Sequence, residues 1–490
     1  MRRAMTTRLL ATAVGAAMAA WGGTAVGSAF QLMEQNASGL GNAYAGQAAA
    51  AEDASTVFFN PAGMTRLPGR QVYGAFNAIN TSARFDNNGQ TTTPFLPAPF
   101  PPLPTGIALG GEGGNAGGWG FVPNLYLSWQ LDPNAWLGLG INAPFGLKTE
   151  WDSSWMGRFH AIKSEIMTIN INPSVGLKLN DMFSIGGGIN AMYLDAELTN
   201  CVAYGLSAAG AAAPFGAGAL AGVIAQSAGA TQACGRSGLS PQPGLAREGV
   251  GKLTASDWGW GWNLGAMINF TPETRLGLSY RSKISFALDG SAKFSNAPTF
   301  TGLGALGAGL NAAFTNGKIE ADIKLPDTFS AALSHQFNPR WQVLADYTWT
   351  GWNSIQDLTV FRTNGALSGT QLTSTPLKFK NSWRAGLGVN YQANSQWKLR
   401  GGVAYDTTPV QDEFRTPRLP DESRTWLAAG AQYAFSKQGA LDFGLAYLFV
   451  KDAKSELPNQ DTPTSSPKGN LFGDYSANVW IFSVGLRYNF

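Results

Sequence analysis

The sequence predicts an all-β protein: a transmembrane antiparallel β-barrel of about 14 strands, with an N-terminal periplasmic hatch (plug) inside the barrel. Three observations support this fold class. Charged residues make up 13% of the 490 positions, against ~25% in ordinary soluble domains. The N-terminus has the pattern of an export signal. Many segments alternate apolar and polar residues over the length of a barrel strand.

The first 27 residues predict a secretory signal peptide. Three arginines precede an apolar run over residues 9–21, and small residues follow. Cleavage fits before Ser28 or before Phe30, and an uncleaved anchor is the alternative. Without those three arginines the 34 basic residues become 31, equal to the 31 acidic ones. The exported chain is therefore close to neutral, which gives no electrostatic reason to expect a nucleic acid partner.

The remaining chain offers one long run that looks apolar, residues 208–230. It contains Pro214 and several glycines and consists mostly of alanine, so we interpret it as a loop rather than a membrane span. An exported chain that is poor in charge and has no spanning helix is typical of closed barrels of the outer membrane. We therefore expect a multi-pass location in the cell outer membrane.

The last segment of the chain shows the alternation most clearly. One face carries Trp480, Phe482, Val484, Leu486, Tyr488 and Phe490, and the other carries Ile481, Ser483, Gly485, Arg487 and Asn489. The same period of two runs through residues 167–180, 258–270 and 383–391. A strand that faces lipid on one side and a polar lumen on the other requires this pattern.

Fourteen such segments predict fourteen strands, an even number as closure requires. They lie near residues 70–80, 119–131, 134–146, 162–180, 181–199, 256–270, 273–289, 318–338, 340–352, 378–393, 395–408, 424–437, 439–452 and 476–490. Tight turns alternate with long loops, and short turns belong on the periplasmic side. The segment before strand one is then periplasmic. The predicted domains are a signal peptide (1–27), a hatch (28–69) and a barrel (70–490).

The predicted hatch carries a set of spaced motifs. They are Phe30-Gln31-Leu32 with Glu34, Ser38-Gly39-Leu40-Gly41, Ala45-Gly46, Asp53-Ala54 and Asn60-Pro61-Ala62. With these motifs the chain resembles the FadL/TodX family of outer-membrane transporters for long-chain fatty acids and other hydrophobic compounds. Further blocks continue the resemblance, including "INPSVGLKL" from Ile171, "FKNSWRAGLG" from Phe379 and "RLPDESRTWLAAGAQYAF" from Arg418.

The resemblance implies a mechanism of passive uptake without energy coupling. It implies capture of substrate on extracellular loops, an inner site near Phe30 that the hatch gates, and lateral exit beside a kinked third strand. Pro61 makes Asn60-Pro61-Ala62 a rigid corner, and the resemblance implies that this corner shapes the exit. Gly138 and Gly140, with Pro144, are candidates for the kink, since Gly and Pro weaken a strand.

Two long loops are candidates for the capture groove. Their apolar residues are Phe215, Leu220, Val223 and Ile224 in the third loop, and Leu303, Leu306, Leu310 and Phe314 at helical spacing in the fourth. The alternative is that the two loops simply pack together. Cys201 and Cys234 flank the apolar part of the third loop, and in an oxidising compartment a disulfide is favoured.

A carboxylate ligand would require a cation that points into the lumen. Strand parity nominates Arg158 and Lys380, which lie toward the extracellular ends, ahead of Arg384 and Arg400. Pairing of these cations with lumen acids such as Asp346 or Asp442 is the alternative. Nothing in the sequence separates a fatty acid from an aromatic hydrocarbon such as toluene.

Enzyme chemistry finds little support in the sequence. His160 and His335 are the two histidines, and no phosphate loop, zinc-protease motif or nucleophile elbow is present. We therefore expect no enzyme activity, no metal and no cofactor. The expected partners are a hydrophobic small molecule, outer-membrane lipid and lipopolysaccharide, with a monomeric barrel. The rival functions are an outer-membrane lipid hydrolase, a water-filled porin and an adhesin.

Overall fold

The structure is a computed structural model that describes residues 28–96, 107–227, 234, 247–459 and 467–490. The predicted signal peptide, residues 1–27, lies outside the described residues. Within the described part of the chain, no helix combines the length and the apolar character needed to cross a membrane.

Twenty strand segments in the described residues form one antiparallel sheet. Their bounds are β1 (Arg70–Asn87), β2 (Trp119–Asp132), β3 (Ala135–Asn142), β4 (Gly146–Glu150), β5 (Lys163–Lys178), β6 (Phe183–Ala203), β7 (Glu248–Asn269), β8 (Thr274–Arg281), β9 (Ile284–Phe294), β10 (Gly317–Leu325), β11 (Thr328–Gln336), β12 (Trp341–Thr350), β13 (Asp357–Arg362), β14 (Gln371–Pro376), β15 (Ser382–Gln392), β16 (Trp397–Asp406), β17 (Arg424–Ala434), β18 (Gly439–Val450), β19 (Ala453–Leu457) and β20 (Leu471–Asn489). The sheet closes because β1 pairs with β2 on one edge and with β20 on the other.

The sheet makes fourteen crossings, which confirms the predicted barrel. Six crossings consist of two consecutive segments each, namely β3/β4, β8/β9, β10/β11, β12/β13, β14/β15 and β18/β19. Several strands run past their predicted ends: β1 continues to Asn87, and β7 begins at Glu248 rather than near residue 256. The alternation that marks a lipid-facing strand stops at the edge of the membrane, whereas the hydrogen-bonded ladder continues beyond it.

The outer surface of the barrel is apolar at every second position. Along β7, Trp258, Trp260 and Trp262 are 49%, 69% and 47% exposed. Along β20, Trp480 is 42% exposed whereas its neighbour Ile481 is fully buried. Large apolar side chains on the outside of a closed sheet are what contact with lipid requires.

Residues 28–69 lie against the inner wall of the sheet. They contain three one-turn helices, α1 (Ala37–Leu40), α2 (Gln47–Ala50) and α3 (Thr56–Phe59), and a 3₁₀ helix at Pro61–Arg66. Glycines of the wall permit this contact, since a Cβ atom on Gly277 or on Gly402 would clash with the backbone of Ala48 or of Asn42, respectively. The backbone of this segment therefore meets the backbone of the barrel directly.

Short helices lie on the extracellular side. They are α4 (Tyr204–Ala212), α5 (Ala217–Ser227) and α6 (Gly304–Ala313), with 3₁₀ turns at Ala213–Phe215, Trp352–Ser354 and Asp412–Phe414. Cys201 at the end of β6 forms the predicted disulfide with Cys234. The disulfide ties the chain beyond α5 to the strand from which α4 departs.

Candidate functional site

A cavity of about 880 Å³ lies between the hatch N-terminus and the extracellular helices. Most of its lining is apolar and comes from Leu147, Ile166, Leu253, Phe294, Leu310, Phe314, Ile323, Val360, Phe379 and Leu419, with Phe30 from the hatch. The part of α4 around Ser207, Gly210 and Ala211 also lines it. Polar and charged side chains also line it, among them Asn200, Thr416 and Arg418. A mainly apolar cavity of this size with polar groups in its wall is typical of a small-molecule site.

Phe30 sits in this wall with little exposure. Its ring contacts Trp352 edge-on, with 4.8 Å between ring centroids, and lies 6.0 Å from the ring of Phe145. The preceding residue is held by the connection between β16 and β17, where the Ala29 backbone N–H donates to Asp421 Oδ2 at 3.0 Å. The predicted gate residue is therefore a buried part of the hatch that forms one wall of the cavity.

The third crossing is broken between β3 and β4, at residues 143–145. Below the break β3 pairs with both β2 and β5, whereas β4 pairs in a ladder with β5. The hatch supplies hydrogen bonds here: Leu32 N–H donates to the Pro144 carbonyl at 2.8 Å, and Gly146 N–H donates to the Phe30 carbonyl at 2.9 Å. A hatch segment thus takes the place of a strand at the break.

The position of this break corrects one expectation. It centres on Pro144, which has no N–H for a ladder, whereas Gly138 and Gly140 lie in regular pairing with β2 and β5. A Cβ atom on Gly138 would come within 2.7 Å of Val57 Cγ2. Gly138 makes room for the hatch, whereas a Cβ atom on Gly140 would meet the Tyr126 ring of β2 at 3.2 Å. Neither glycine lies at the break.

The Asn60-Pro61-Ala62 corner is fully buried on a different part of the wall. Asn60 Nδ2 donates to the Ala48 carbonyl at 2.7 Å and to the Ala266 carbonyl of β7 at 3.0 Å, and Asn60 Oδ1 accepts from Ala62 N–H. The corner therefore fastens the hatch to β7. Residues 30–32, not this corner, occupy the break.

The apolar loop residues predicted to form the capture groove lie in the cavity wall, in a buried cluster of the loops, or on the surface. Leu310 and Phe314 line the cavity, and Val223 is completely buried within the loop cluster. Leu220, Ile224, Leu303 and Leu306 pack against that cluster, and Phe215 is 69% exposed. Most of the predicted groove residues hence pack in one cluster formed by both loops, and Leu310 and Phe314 belong to this cluster as well as to the cavity wall. The cavity-lining residues of α4 are small and show no apolar periodicity, so the sequence did not predict their place in the cavity wall.

Neither predicted cation lines the cavity. Arg158 is fully buried and pairs with Glu248, with 2.9 Å between Nη2 and Oε1. It also donates to the carbonyls of Ala108 and Leu109, each at 2.8 Å. These partners leave Arg158 no free role toward a ligand, and Lys380 is exposed in the connection before β15.

Three other cations do line the cavity. Arg362, at the end of β13, donates to the carbonyls of Ala313 and Thr315, and the other two are Arg418 and Lys468 in loops. Arg418 donates to Ser164 Oγ at 3.1 Å and to Asn200 Oδ1 at 3.3 Å, both neutral groups. Burial lowers the pKa of Arg418 to about 10, and burial together with the charge of Arg418 lowers the pKa of Lys468 to about 8. Among the described residues none of these three cations has an acid partner within 4.0 Å. Sequence reasoning missed Arg418 and Lys468 because they lie in loops, where strand parity does not apply.

Three arginines beside the hatch behave differently. Arg384 pairs with Asp346 at 2.9 Å, Arg400 pairs with Asp442 at 2.8 Å, and Arg424 pairs with Asp421 at 2.6 Å. The alternative that lumen arginines pair with lumen acids therefore holds on this side of the barrel.

The two histidines form no catalytic arrangement in the described residues. His160 Nε2 contacts the Gly469 carbonyl at 3.0 Å, and burial lowers its pKa to about 3. His335 Nδ1 contacts Thr274 Oγ1 at 2.8 Å on a strand end. The group of potential metal ligands found in the described chain, Cys201, Cys234 and Glu248, is occupied by the disulfide and by Arg158.

Comparison with known proteins gives the same picture at the level of family. Residues 17–490 match the family described as outer membrane protein transport protein (OMPP1/FadL/TodX). The chain belongs to this family. It is a protein of the outer membrane, as the barrel and the family together show.

Similar proteins include the long-chain fatty acid transport protein of Escherichia coli K12, which is 28% identical with 94% of each chain covered. Outer membrane protein P1 of Haemophilus influenzae Rd is 30% identical, with 98% of each chain covered.

Solved structures of this family have the same fold. A Pseudomonas aeruginosa FadL homologue superposes with a TM-score of 0.79 at 26% identity, covering 94% of this chain and 100% of that one. The Ralstonia pickettii toluene transporter TbuX gives a TM-score of 0.60 at 20% identity, covering 92% and 98%. At 20% identity, the similarity to TbuX shows only that the two proteins share a fold.

Proposed function

We propose that this protein mediates the passive uptake of long-chain fatty acids, or of similar hydrophobic molecules with an ionised head group, across the outer membrane. The supporting observation is the largely apolar cavity with three cations, Arg362, Arg418 and Lys468, that have no acid partner within 4.0 Å among the described residues. An apolar chain gains ~25 cal/mol for each Å² that it buries, and a carboxylate beside Arg418 and Lys468 would supply the missing counter-charge. Several similar proteins are named as long-chain fatty acid transport proteins.

The route of the substrate follows from the same geometry. Loop residues such as Phe215 present apolar surface to the outside, the cavity holds the ligand, and Phe30 separates it from the break at residues 143–145. Displacement of residues 30–32 would free the hydrogen-bonding groups of Pro144 and Gly146 and open the wall beside them. Exit would then be lateral, into the membrane, without energy coupling and from a single barrel.

Uptake of an aromatic hydrocarbon is the second candidate, since a toluene transporter shares the fold. A neutral hydrocarbon has no charge to place beside Arg418 and Lys468. The two buried cations therefore favour an anionic amphiphile over toluene.

A binding measurement on the purified barrel tests this proposal. The double variant Arg418→Gln/Lys468→Gln should weaken binding of oleate at least about tenfold, since charge-assisted hydrogen bonds contribute ~1.5–3 kcal/mol. Binding of oleyl alcohol, which has the same chain without the charge, should not change. Lys380→Gln removes a lysine outside the cavity and is the matched control. Equal oleate binding by the double variant, or equal loss of the alcohol, contradicts the proposal.

A further inference from the structure

Below the cavity, the inner wall carries a run of buried amide side chains that leads away from the break. Asn142 of β3, Asn170 of β5 and Asn190 of β6 are fully buried, and Asn263 of β7 is 2% exposed. The run ends at Arg281 of β8, which is 9% exposed. Buried polar groups in folded proteins are generally hydrogen-bonded, so a buried group without a partner calls for an explanation.

Hydrogen bonds connect this run continuously. Asn170 Nδ2 donates to Asn142 Oδ1 and to Asn190 Oδ1, both at 3.1 Å, and Arg281 Nη1 also donates to Asn190 Oδ1. Asn142 is the last residue of β3 before the break. The upper part of the same face of β5 contributes Ser164 and Ile166 to the cavity. The run thus borders both the cavity wall and the break.

Arg281 has no acid to balance its charge. Its other partners are the Phe58 carbonyl at 2.8 Å and the Phe58 ring, whose centroid lies 4.2 Å below the guanidinium carbon. Within the described residues, no carboxylate lies within 4.0 Å of Arg281. A buried cation without a counter-ion costs several kcal/mol, and Arg384, Arg400 and Arg424 avoid that cost by pairing.

Asn263 adds a second unused donor at the same place. It lies directly opposite Arg281 in the ladder of β7 and β8. Its Oδ1 accepts from Asn172 Nδ2 and from Asn190 Nδ2, both at 3.0 Å, which fixes the orientation of the amide. Asn263 Nδ2 then has no hydrogen-bond partner in the part of the chain that the structure describes. A guanidinium and an amide N–H₂ on neighbouring strands match the two oxygens of a carboxylate.

We propose that Arg281 and Asn263 form a second binding site for the substrate carboxylate, used between the cavity and the break. The inference rests on the proposed function for the class of substrate. The head group leaves Arg418 and Lys468, passes Phe30 and binds at Arg281 while the alkyl chain leaves through the wall. Phe58, whose ring lies beside the Arg281 guanidinium, is half-buried.

A purely structural role would give a different result. Arg281 also holds the Phe58 carbonyl of the hatch, and loss of an anchor would disturb every substrate alike. A head-group site affects only substrates that carry the charge. Uptake of an ionised and a neutral molecule with the same chain therefore separates the two roles.

The experiment measures uptake of labelled oleate and of labelled oleyl alcohol by cells that lack their own such transporter. Arg281→Gln should lower oleate uptake about tenfold, the worth of one charge-assisted contact, and leave uptake of the alcohol unchanged. Oleate binding to the purified variant should stay at the wild-type level, because Arg418 and Lys468 are intact. Arg281→Lys should restore part of the oleate uptake.

Arg275→Gln is the matched control, since Arg275 faces inward on the same strand six residues nearer the periplasmic end. It should leave both substrates unaffected. Equal loss of oleate and alcohol in Arg281→Gln, or unchanged oleate uptake, overturns the second site alone. A wild-type protein that takes up the alcohol but not oleate overturns the proposed function and this inference together.

Discussion

The two ends of the lumen differ in how they use arginine. Beside the hatch, Arg400 bridges Asp442 of the barrel and Glu52 of the hatch, with N–O distances of 2.8 and 2.5 Å. In the cavity, Arg418 contacts neutral oxygens. The paired arginine joins the hatch segment to the barrel wall, whereas the unpaired one has no counter-charge among the described residues. On the proposed function, the first arrangement is structural and the second leaves a charge free to meet a ligand.

The largest effect is expected from a substitution at Gly402, a glycine of the barrel wall that contacts the hatch. Gly402→Val places a side chain where the Asn42 backbone lies, so the hatch has to move away from the wall. We expect ion conductance in planar bilayers to rise at least about tenfold, because a forced overpacking of backbone cannot be absorbed locally. Such a result would show that the paired end of the lumen is what closes the barrel.

Gly401→Val provides the control on the adjacent position. A Cβ atom there meets nothing nearer than Val389 Cγ1 at 3.8 Å, since Gly401 faces outward. Its conductance should match that of the wild type. A closed Gly402→Val channel would instead mean that the hatch shifts without losing its seal.

The disulfide should influence the cavity end and leave the hatch end alone. Its partners are separated by 33 residues along the chain, so its loss in Cys201→Ser/Cys234→Ser removes about 3–4 kcal/mol of loop constraint in the chain-entropy estimate. We expect faster hydrogen exchange across α4 and α5 and weaker oleate binding, with conductance unchanged. Conductance that rises in this variant would show that the two ends are coupled.

The smallest expected effect is a pH dependence of ligand affinity that arises from Lys468. Because the pKa of Lys468 is lowered to about 8, its ammonium is present below that pH and is lost above it. An alkyl sulfonate stays ionised throughout, so its affinity should fall a few-fold as pH rises through this value, by roughly one lost charge contact. Lys468→Gln should bind the probe weakly with no pH step. A step that persists in this variant would assign it to another group.

The sequence predicts the barrel well because its signal is local. A strand that contacts lipid has to be apolar at every second residue, and β7 and β20 show this within a dozen positions. The disulfide was predictable for the same kind of reason, since Cys201 has one possible partner. Pro144 was among the predicted bend residues because proline has no backbone N–H to donate to a neighbouring strand.

The cation site was not predictable, because it depends on contacts between distant residues. Parity places Arg158 inward, but Glu248, its partner 90 positions away, neutralises it. Arg418 and Lys468 lie in loops whose approach to the cavity no period describes. From the sequence alone, the glycines at 138 and 140 suggest weak points in a strand. The structure shows them in regular pairing, with Val57 of the hatch packed beside them.

The break at residues 143–145 also bears on how the protein is assembled. Without residues 30–32 the Pro144 carbonyl and the Gly146 N–H would form part of an open sheet edge within hydrocarbon, where unpaired backbone groups cost several kcal/mol each. Residues 30–32 cover both groups. We therefore expect closure of the sheet at this point to require the N-terminal segment.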